Sequence, residues 1–385
     1  MTSYEDLIIN VSNHISSLCY SVLRFEPYGE CEYRCLYCYA RWYRSERGSS
    51  FRAFLKLARR VKELKLKPIP ARLSTLVEPF QPAEEEARAS LKLLNTCLKI
   101  GYPMVVNTKS TLVCREPWRG LLKKMSENGL VVVQFSLLTL DQGVSRRLEP
   151  NAPSPWERLS AMETLTSLEI PVVLRLSPFI PGISLYPSVE ELAEQLSRIG
   201  VLHVVAEALR LPPSEMNKIR ELLSLKLEVE PYSFADESLV KVDLAARLSE
   251  YVKLASELER RGIRFATCKE GLFSLHTALD CCGFYLLSHS GKRATLYEVY
   301  LEALKRLLPV EEVLPILKRR GDLVVAEEVE RYPNPLRKRL RAHERRMLRV
   351  VGNGEVLSRI SPELVVDEGL VKARPIRARV RSWLH

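Results

Sequence analysis

The sequence predicts an α/β protein in which a parallel β-sheet is wrapped by helices. Six apolar, strand-like runs alternate with helical periodicity within about 200 residues, which is typical of repeated βαβ units. One of these runs, residues 130–138, is almost continuously apolar, as expected for a parallel strand buried on both faces. With 385 residues, 46% of them hydrophobic, the chain can form one large α/β core with an appendage, or two to three average domains.

The predicted elements follow one another in a regular order along the chain. Three capping residues, Ser50, Ser154 and Ser188, mark the starts of helices, and two capping boxes are predicted, Ser154 with Glu157 and Ser188 with Glu191. Further on, residues 240–261 have the spacing of a long amphipathic helix. The predicted strands are residues 18–25, 71–77, 103–108, 130–138, 171–176, 201–205 and, after the long helix, 264–267.

Three cysteines directly after the first predicted strand form the main candidate site. Cys31, Cys35 and Cys38 are spaced C-x-x-x-C-x-x-C, and thiolates this close together point to one soft metal centre. A 4Fe-4S cluster usually takes four cysteines, so three of them without an obvious fourth nearby would leave one iron open to another ligand. The alternatives are a zinc knuckle completed by a distant Cys or His, and loop cysteines that bind no metal.

This motif resembles that of the radical S-adenosylmethionine (SAM) enzymes, and flanking segments resemble the branch that contains spore photoproduct lyase. The resemblance covers roughly residues 20 to 210 and implies a partial, open six-unit β/α barrel of the radical SAM type. It also implies that Cys31, Cys35 and Cys38 ligate a 4Fe-4S cluster whose open iron binds SAM, and that an electron donor is a partner. SAM cleavage would then give a 5′-deoxyadenosyl radical that abstracts hydrogen from a substrate. The matching segments are Tyr37-Cys38-Tyr39-Ala40-Arg41, Val77-Glu78-Pro79-Phe80-Gln81-Pro82, Thr108-Lys109-Ser110, Leu148-Glu149-Pro150-Asn151-Ala152-Pro153, Arg175-Leu176-Ser177-Pro178 and Ile180-Pro181-Gly182.

The same resemblance implies roles for six further residues, each of which also has an ordinary structural explanation. An Arg or Lys at a strand end is often solvated or paired with a carboxylate, and a serine or tyrosine there often only packs. Glu78 is one methylene longer than the aspartate usual in the branch but keeps its charge. The implied roles are Tyr37 near the SAM adenine, Glu78 on the methionine ammonium, Lys109 and Ser136 on the carboxylate, Arg175 on the carboxylate or ribose, and Tyr39 as a radical relay.

One departure from the branch bears on the substrate. Spore photoproduct lyase uses a cysteine as hydrogen donor on the strand that aligns with residues 73–78, and this chain has no cysteine there. The sequence therefore predicts a relative that acts on a different substrate.

The other six cysteines fall into two groups. Cys19, Cys97 and Cys114 stand alone in apolar or helical contexts and are predicted to be small buried hydrophobes. A second group, with His276 between its members, allows four interpretations: a zinc site or auxiliary cluster, a disulfide, a thiol that replaces the absent donor, or core cysteines. This group comprises Cys268, Cys281 and Cys282.

The net charge of +11 is concentrated at the C-terminus. Residues 331–385 contain fourteen Lys and Arg against five Asp and Glu, so they carry +9 and the first 330 residues only +2. This charge predicts either nucleic-acid binding, or a solvated helix surface with a loose tail, or an acidic partner. The basic residues cluster in Arg337-Lys338-Arg339-Leu340-Arg341, Arg345-Arg346, and Lys372, Arg374, Arg377, Arg379 and Arg381.

Composition also bears on where the protein acts. The sequence contains no run of eighteen apolar residues, so no membrane span is expected. The N-terminus lacks a signal-like pattern. Nine cysteines with one tight cluster fit a metal protein in a reducing compartment, so a cytoplasmic location is expected. Four Gln and nine Asn beside a 27% charged fraction suggest a thermophilic source.

Together these patterns predict four segments and two classes of function. The segments are an N-terminal stretch (1–16), the radical SAM barrel core (17–210), a barrel-closing region with the second cysteine group (211–295) and a basic, mostly helical C-terminal extension (296–385). The first class is a radical SAM enzyme that acts on a nucleic-acid base. The second is a non-catalytic metal-binding module that contacts nucleic acid through its basic tail.

Overall fold

The computed structural model describes residues 4, 7–9, 15–42, 48–233, 236–320, 323 and 327–376. Thirteen strands lie in these residues: β1 (Leu23–Phe25), β2 (Ala71–Leu73), β3 (Met104–Thr108), β4 (Val131–Leu137), β5 (Val172–Phe179), β6 (His203–Ala208), β7 (Arg210–Leu211), β8 (Val229–Ser233), β9 (Asp236–Val242), β10 (Arg264–Thr267), β11 (Leu308–Pro309), β12 (Leu364–Asp367) and β13 (Leu370–Ala373).

The same residues contain fourteen α-helices. They are α1 (Phe51–Glu63), α2 (Glu84–Ala87), α3 (Ala89–Ile100), α4 (Trp118–Glu127), α5 (Gln142–Leu148), α6 (Pro155–Thr166), α7 (Val189–Arg198), α8 (Pro213–Leu223), α9 (Leu244–Arg260), α10 (Leu296–Ala303), α11 (Val313–Leu317), α12 (Glu327–Arg331), α13 (Asn334–Val351) and α14 (Gly354–Ile360).

A parallel sheet of seven strands forms the centre of the protein. Its order is β1-β2-β3-β4-β5-β6-β10, and every neighbouring pair is parallel. The order begins with β1 and ends with β10, so the sheet is an open barrel, as predicted, to which β10 adds a seventh strand. The second strand is shorter than the predicted 71–77 because Ser74 adopts a left-handed conformation, φ 64°, directly after Leu73.

Helix starts agree with the capping pattern, with one shift. Ser50 and Ser188 accept backbone N–H bonds at the starts of α1 and α7, and both bonds of the Ser154 capping box are present. The long helix predicted from residue 240 begins only at Leu244. Asp243 caps it by accepting from two backbone N–H groups, and the residues before it belong to the antiparallel sheet β7-β9-β8.

Alternate residues of the central strands pack on opposite faces of the sheet, since successive side chains of a strand point in opposite directions. Val106, Val133 and Leu174 belong to the core beneath the surrounding helices. Val105, Val132 and Val173 belong to a second core with residues of the C-terminal extension. The concave face of the sheet is therefore partly filled by the extension, and the space above it remains open.

The C-terminal extension is built into the protein as far as residue 376. Leu336 and Leu340 of α13 are buried in the main core, and β13 pairs with β11 and β12. Ser361 donates to the Gly271 carbonyl at 2.9 Å, which joins the extension to the loop after β10. A loose tail is thus the wrong interpretation for residues 331–376, whereas the basic residues Arg377, Arg379 and Arg381 lie outside the described part of the chain. No helix among the described residues combines the length and apolarity that a membrane crossing requires.

Candidate active site

A cavity of about 510 Å³ opens at the carboxyl ends of the central strands. In parallel sheets the loops that follow the strands converge at this end, so their side chains meet there. All nine residues that the sequence predicted for the site line this single cavity: Cys31, Cys35, Cys38, Tyr37, Tyr39, Glu78, Lys109, Ser136 and Arg175. The fold thus brings the predicted set together, while the role of each residue remains a prediction.

The three motif cysteines are free thiols in the lining of the cavity. Cys35 is buried, and Cys31 and Cys38 are half-buried, with no disulfide among them. Burial raises the pKa of Cys35 to about 12. Burial also raises the pKa of Cys31, although N–H groups of Tyr33 and Glu78 that donate to its sulfur oppose the shift. Buried thiolates of this kind are stable only beside a cation such as cluster iron.

The geometry bears on the zinc alternative only. Among the residues described, no three His, Cys, Asp or Glu side chains are arranged around a single ion, as a zinc knuckle requires. A 4Fe-4S cluster on Cys31, Cys35 and Cys38 stays a prediction.

A buried ion pair, Glu149 with Arg158, contacts the cysteine loop and stabilises its position. Glu149 and Arg158 are fully buried and paired, and Glu149 also accepts from the Tyr37 hydroxyl. The Leu36 N–H donates to the Leu148 carbonyl at 2.9 Å, which ties the loop to the end of α5. Burial alone would raise the pKa of the Glu149 carboxyl, but the charges of Arg158 and of Lys109 hold it below its usual range. The loop thus rests on a charged carboxylate.

Tyr37 contributes to this support. Its ring is buried, its hydroxyl is bound to Glu149, and the Lys109 ammonium lies 5.8 Å from the ring centroid. The side chain therefore helps to position the loop. Its predicted place near the SAM adenine stays a prediction.

Glu78 bridges two neighbouring loops of the site. Its carboxylate accepts from the Phe80 N–H at 3.1 Å, from the Thr108 hydroxyl at 2.6 Å and from the Lys109 N–H at 2.7 Å. A carboxylate offers about four acceptor positions, so one remains for an ammonium group in the cavity. Burial raises the pKa of Glu78, and the three donors oppose that shift.

The predicted cationic residues occupy two different sides of the cavity. Lys109 follows β3 and lies 3.9 Å from Glu149, on the side of the cysteine loop. Arg175 of β5 pairs instead with Glu207 of β6, and its guanidinium lies 3.7 Å from the Cys268 sulfur. Ser136 of β4 stands in register with Arg175, between the two sides.

Tyr39 lies at the boundary of the site and packs against an arginine. Its hydroxyl donates to the Thr75 carbonyl at 2.6 Å, and the Arg210 guanidinium lies 5.3 Å from its ring centroid. The centroid of the Tyr232 ring, in β8, lies 4.9 Å from the same guanidinium. The contacts are those of a packing aromatic, and the radical relay remains untested.

Several residues of the cavity were missed by the sequence analysis. Three of them are charged residues at or just after the ends of β6 and β10: Glu207, Arg210 and Lys269. Their position at strand ends could have identified them as site residues from the sequence. Arg72 lies inside a predicted strand, where a buried charge is unusual. It donates to Ser21, Asn107 and Gln134 oxygens and, at 3.1 Å, to the Cys282 sulfur.

The structure does not support the predicted zinc site or auxiliary cluster at the second cysteine group. Its sulfurs are free, and no metal-holding group of three is found in the described chain. Arg72 and Arg175 contact the sulfurs of Cys282 and Cys268, and such guanidinium groups repel a metal cation. The intervening His276 accepts from Thr267 at 3.0 Å through Nε2. Cys268 and Cys282 nevertheless line the cavity.

Comparison with known proteins places this site in a family context. Residues 25–204 match the model of the Radical SAM superfamily. The uncharacterized protein ORF301 of Acidianus two-tailed virus is 27% identical over 174 residues, which are 44% of this chain and 55% of the relative. The uncharacterized protein MJ0683 of Methanocaldococcus jannaschii is 30% identical over 166 residues, 40% of this chain and 58% of the relative. The chain thus spans little more than half the length of these relatives. The solved structure of a spore photoproduct lyase mutant is similar to this chain with a TM-score of 0.49 and 16% sequence identity. The match covers 68% of this chain and 81% of the lyase chain.

Proposed function

We propose that the protein is a radical SAM enzyme with a 4Fe-4S cluster on Cys31, Cys35 and Cys38, since residues 25–204 match the model of the Radical SAM superfamily. The observation that carries the proposal is the convergence of these three cysteines and six further predicted residues on one cavity. When bound, the cluster and SAM supply a 5′-deoxyadenosyl radical, which abstracts hydrogen from a substrate. An electron donor is the partner that this chemistry requires.

The side chains of the cavity are then assigned to parts of SAM. Glu78 keeps one acceptor position for the methionine ammonium. Lys109 and Ser136 bind the carboxylate from the ends of β3 and β4, and Arg175 reaches the carboxylate or the ribose from β5. Tyr37 lies near the adenine. Tyr39 is the remaining candidate for a radical relay.

The substrate class that we propose is a nucleic-acid base. Support comes from the charge of the C-terminal extension, +9 over residues 331–385, since contacts to phosphates bring a nucleic acid to a protein surface. Residues 73–78 contain no cysteine, so the hydrogen donor on the corresponding strand of spore photoproduct lyase has no counterpart there. We therefore propose a reaction different from that of the lyase.

The proposal is tested by reconstituting the protein anaerobically with iron and sulfide. The wild type should bind about four irons per chain and, with reductant and SAM, release 5′-deoxyadenosine. Cys35→Ala should lose both the cluster and the cleavage, because two remaining protein thiolates hold a cube poorly. Cys114→Ala is the matched control, since this half-buried thiol donates to the Ala161 carbonyl and is not among the residues that line the cavity.

Two results would contradict the proposal. Full iron content with normal cleavage in Cys35→Ala would show that these cysteines do not hold the cluster. A reconstituted wild type that binds iron but releases no 5′-deoxyadenosine would favour the non-catalytic metal-binding module.

A further inference from the structure

Buried cations on the cysteine-loop side of the cavity lie beside carboxylates. Lys109 and Arg158 face two carboxylates, Glu149 and Glu78. Arg24 lies beside a further carboxylate, that of Glu26, at 3.9 Å. Of the other arginines that line the cavity, Arg34 and Arg41 are exposed to solvent, and buried Arg72 donates to three side-chain oxygens and to the Cys282 sulfur.

Charges at the ends of β5, β6 and β10 are not balanced. Arg175, Arg210 and Lys269, which we call the cation triad, all contact one carboxylate, Glu207. Their side chains are only 12%, 10% and 16% exposed. Even a thiolate at Cys268, 3.7 Å from Arg175, would neutralise only one more charge. One to two positive charges thus remain in a site largely shielded from water.

The neighbouring charges do not remove this excess. Lys241 and Arg247 lie next to the cation triad but already pair with Glu230 and Glu270. The cofactors do not remove it either. A cube of charge 2+ held by three thiolates has one net negative charge, and SAM has one net positive charge, so their sum is zero. If Arg175 binds the SAM carboxylate, Arg210 and Lys269 still share the single carboxylate of Glu207.

The cation triad is also arranged for an anion. Arg210 contacts the Tyr39 and Tyr232 rings, whose centroids lie 5.3 and 4.9 Å from the guanidinium carbon. One of its N–H groups donates to Glu207, and guanidinium N–H groups match the oxygens of phosphate and carboxylate groups. An unbalanced buried charge is costly, and a bound anion would offset that cost.

We propose that Arg175, Arg210 and Lys269 bind an oxyanion, a phosphate or a carboxylate, that the substrate carries beside its reacting group. The proposal rests on the proposed function and names the substrate class of the same cavity: an anionic molecule or segment. A neutral substrate would leave the excess positive charge of the cation triad without a counter-charge, so the cavity discriminates against neutral substrates.

The test measures how anions protect Lys269 from an acylating reagent in the anaerobically reconstituted, full-length protein. Burial lowers the pKa of Lys269 to about 8, so near that pH much of its amine is neutral and reactive. Saturating inorganic phosphate should slow the acylation of Lys269 at least about fivefold relative to chloride at equal ionic strength, because the bound anion keeps the amine charged. Peptide mass spectrometry reads each lysine separately. Exposed Lys305, which pairs with Glu302, is the internal control.

Two arginine variants and a sample with SAM bound show whether the protection depends on the cation triad. Arg210→Gln should abolish the protection, whereas Arg306→Gln, which changes an exposed arginine paired with Glu312, should retain it. Phosphate should also raise the melting temperature of the wild type and of Arg306→Gln but not that of Arg210→Gln. Protection should persist with SAM bound. Stronger protection by acetate than by phosphate would identify the oxyanion as a carboxylate.

Two outcomes would overturn the proposal. Equal labelling of Lys269 in phosphate and chloride, without a shift in melting temperature, would show that no oxyanion binds. Protection by SAM alone, to which phosphate adds nothing, would assign the cation triad to the cofactor. Release of 5′-deoxyadenosine by the same samples tests the proposed function separately, so either hypothesis can fail while the other stands.

Discussion

At the scale of single residues, buried carboxylates organise the loops around the cavity. Glu26 accepts from the Thr75 N–H at 2.7 Å, from its hydroxyl at 2.8 Å and from the Leu76 N–H at 3.2 Å. Glu78 and Glu149 likewise accept several hydrogen bonds each. Each carboxylate joins segments far apart in sequence, so the loss of one partner affects a whole loop.

The Glu149–Arg158 pair gives a first prediction. Arg158→Met should lower the free energy of unfolding by about 3–5 kcal/mol, because it leaves Glu149 buried without its main counter-charge. Arg198→Met, which breaks an exposed pair with Glu163, should cost at most about 1 kcal/mol. Urea denaturation measures both. The iron content after reconstitution should also fall in Arg158→Met, and equal effects of the two variants would show that the buried pair does not support the loop.

The second cysteine group gives another prediction at this scale. A variant in which Cys268, Cys281 and Cys282 are all serine should keep the iron content of the wild type after reconstitution, because these sulfurs contact arginines and one another rather than surrounding an ion. Metal analysis of the purified and the reconstituted variant makes the comparison. Loss of zinc, or of about four irons per chain, would restore the interpretation as a second metal site.

At the scale of elements, the last two strands of the sheet enclose a buried histidine. His203 begins β6, pairs in register with Arg264 of β10 and is fully buried. Burial, with the nearby charges of His276 and Arg264, lowers its pKa to about 3. The unfolded ring titrates near about 6.5. The folded state therefore requires a neutral ring at a pH where the unfolded chain takes up a proton.

This depressed pKa predicts an acid-sensitive barrel edge. The stability contributed by a neutral His203 is complete above about pH 6.5 and is lost as the pH falls toward the folded value, by up to about 2 kcal/mol between pH 7 and 5. His203→Leu should make the free energy of unfolding fall less steeply over that range, as measured by urea denaturation. His289→Asn, at an exposed loop position, should keep the wild-type slope. Identical slopes for wild type and His203→Leu would refute the assignment.

At the scale of the whole molecule, the basic extension is part of the folded protein. Within the described part of the chain, Arg339, Arg346 and Arg349 of α13 form no ion pair, unlike Arg337 and Arg341 of the same helix. Truncation at residue 331 would remove Leu336 and Leu340 from the main core, so substitutions are the better test of its surface. Burial and the neighbouring charges of Arg339 and Arg349 lower the pKa of Arg346, which marks a face of α13 where arginines stand close to one another.

This face predicts the salt dependence of nucleic-acid binding. Replacing Arg339, Arg346 and Arg349 by glutamine should weaken binding to duplex DNA and reduce the slope of log affinity against log salt by up to about 2.7, since each lost phosphate contact accounts for about 0.9. The control replaces three exposed arginines that already pair with carboxylates and has the same net charge: Arg60, Arg119 and Arg198. Equal slopes in both triple variants would show that α13 presents only a solvated surface.

The sequence by itself determined the features that depend on local pattern. Strand–helix alternation predicted the parallel sheet, and capping residues predicted the helix starts at Ser50 and Ser154. The resemblance of the cysteine motif and its flanking segments to a known family implied nine residues of the cavity lining. Each of these features depends on residues close together in the sequence, because hydrophobic periodicity, helix capping and motif spacing act locally.

Only the tertiary structure decided the features that join distant parts of the chain. Arg175, Arg210 and Lys269 meet on Glu207 because β5, β6 and β10 end side by side, although β10 follows β6 only after an antiparallel sheet and a long helix. The second cysteine group lies among arginines, and the basic extension enters the core, for the same reason. Charge balance and burial are sums over neighbours in space, and the sequence pattern alone does not specify those neighbours.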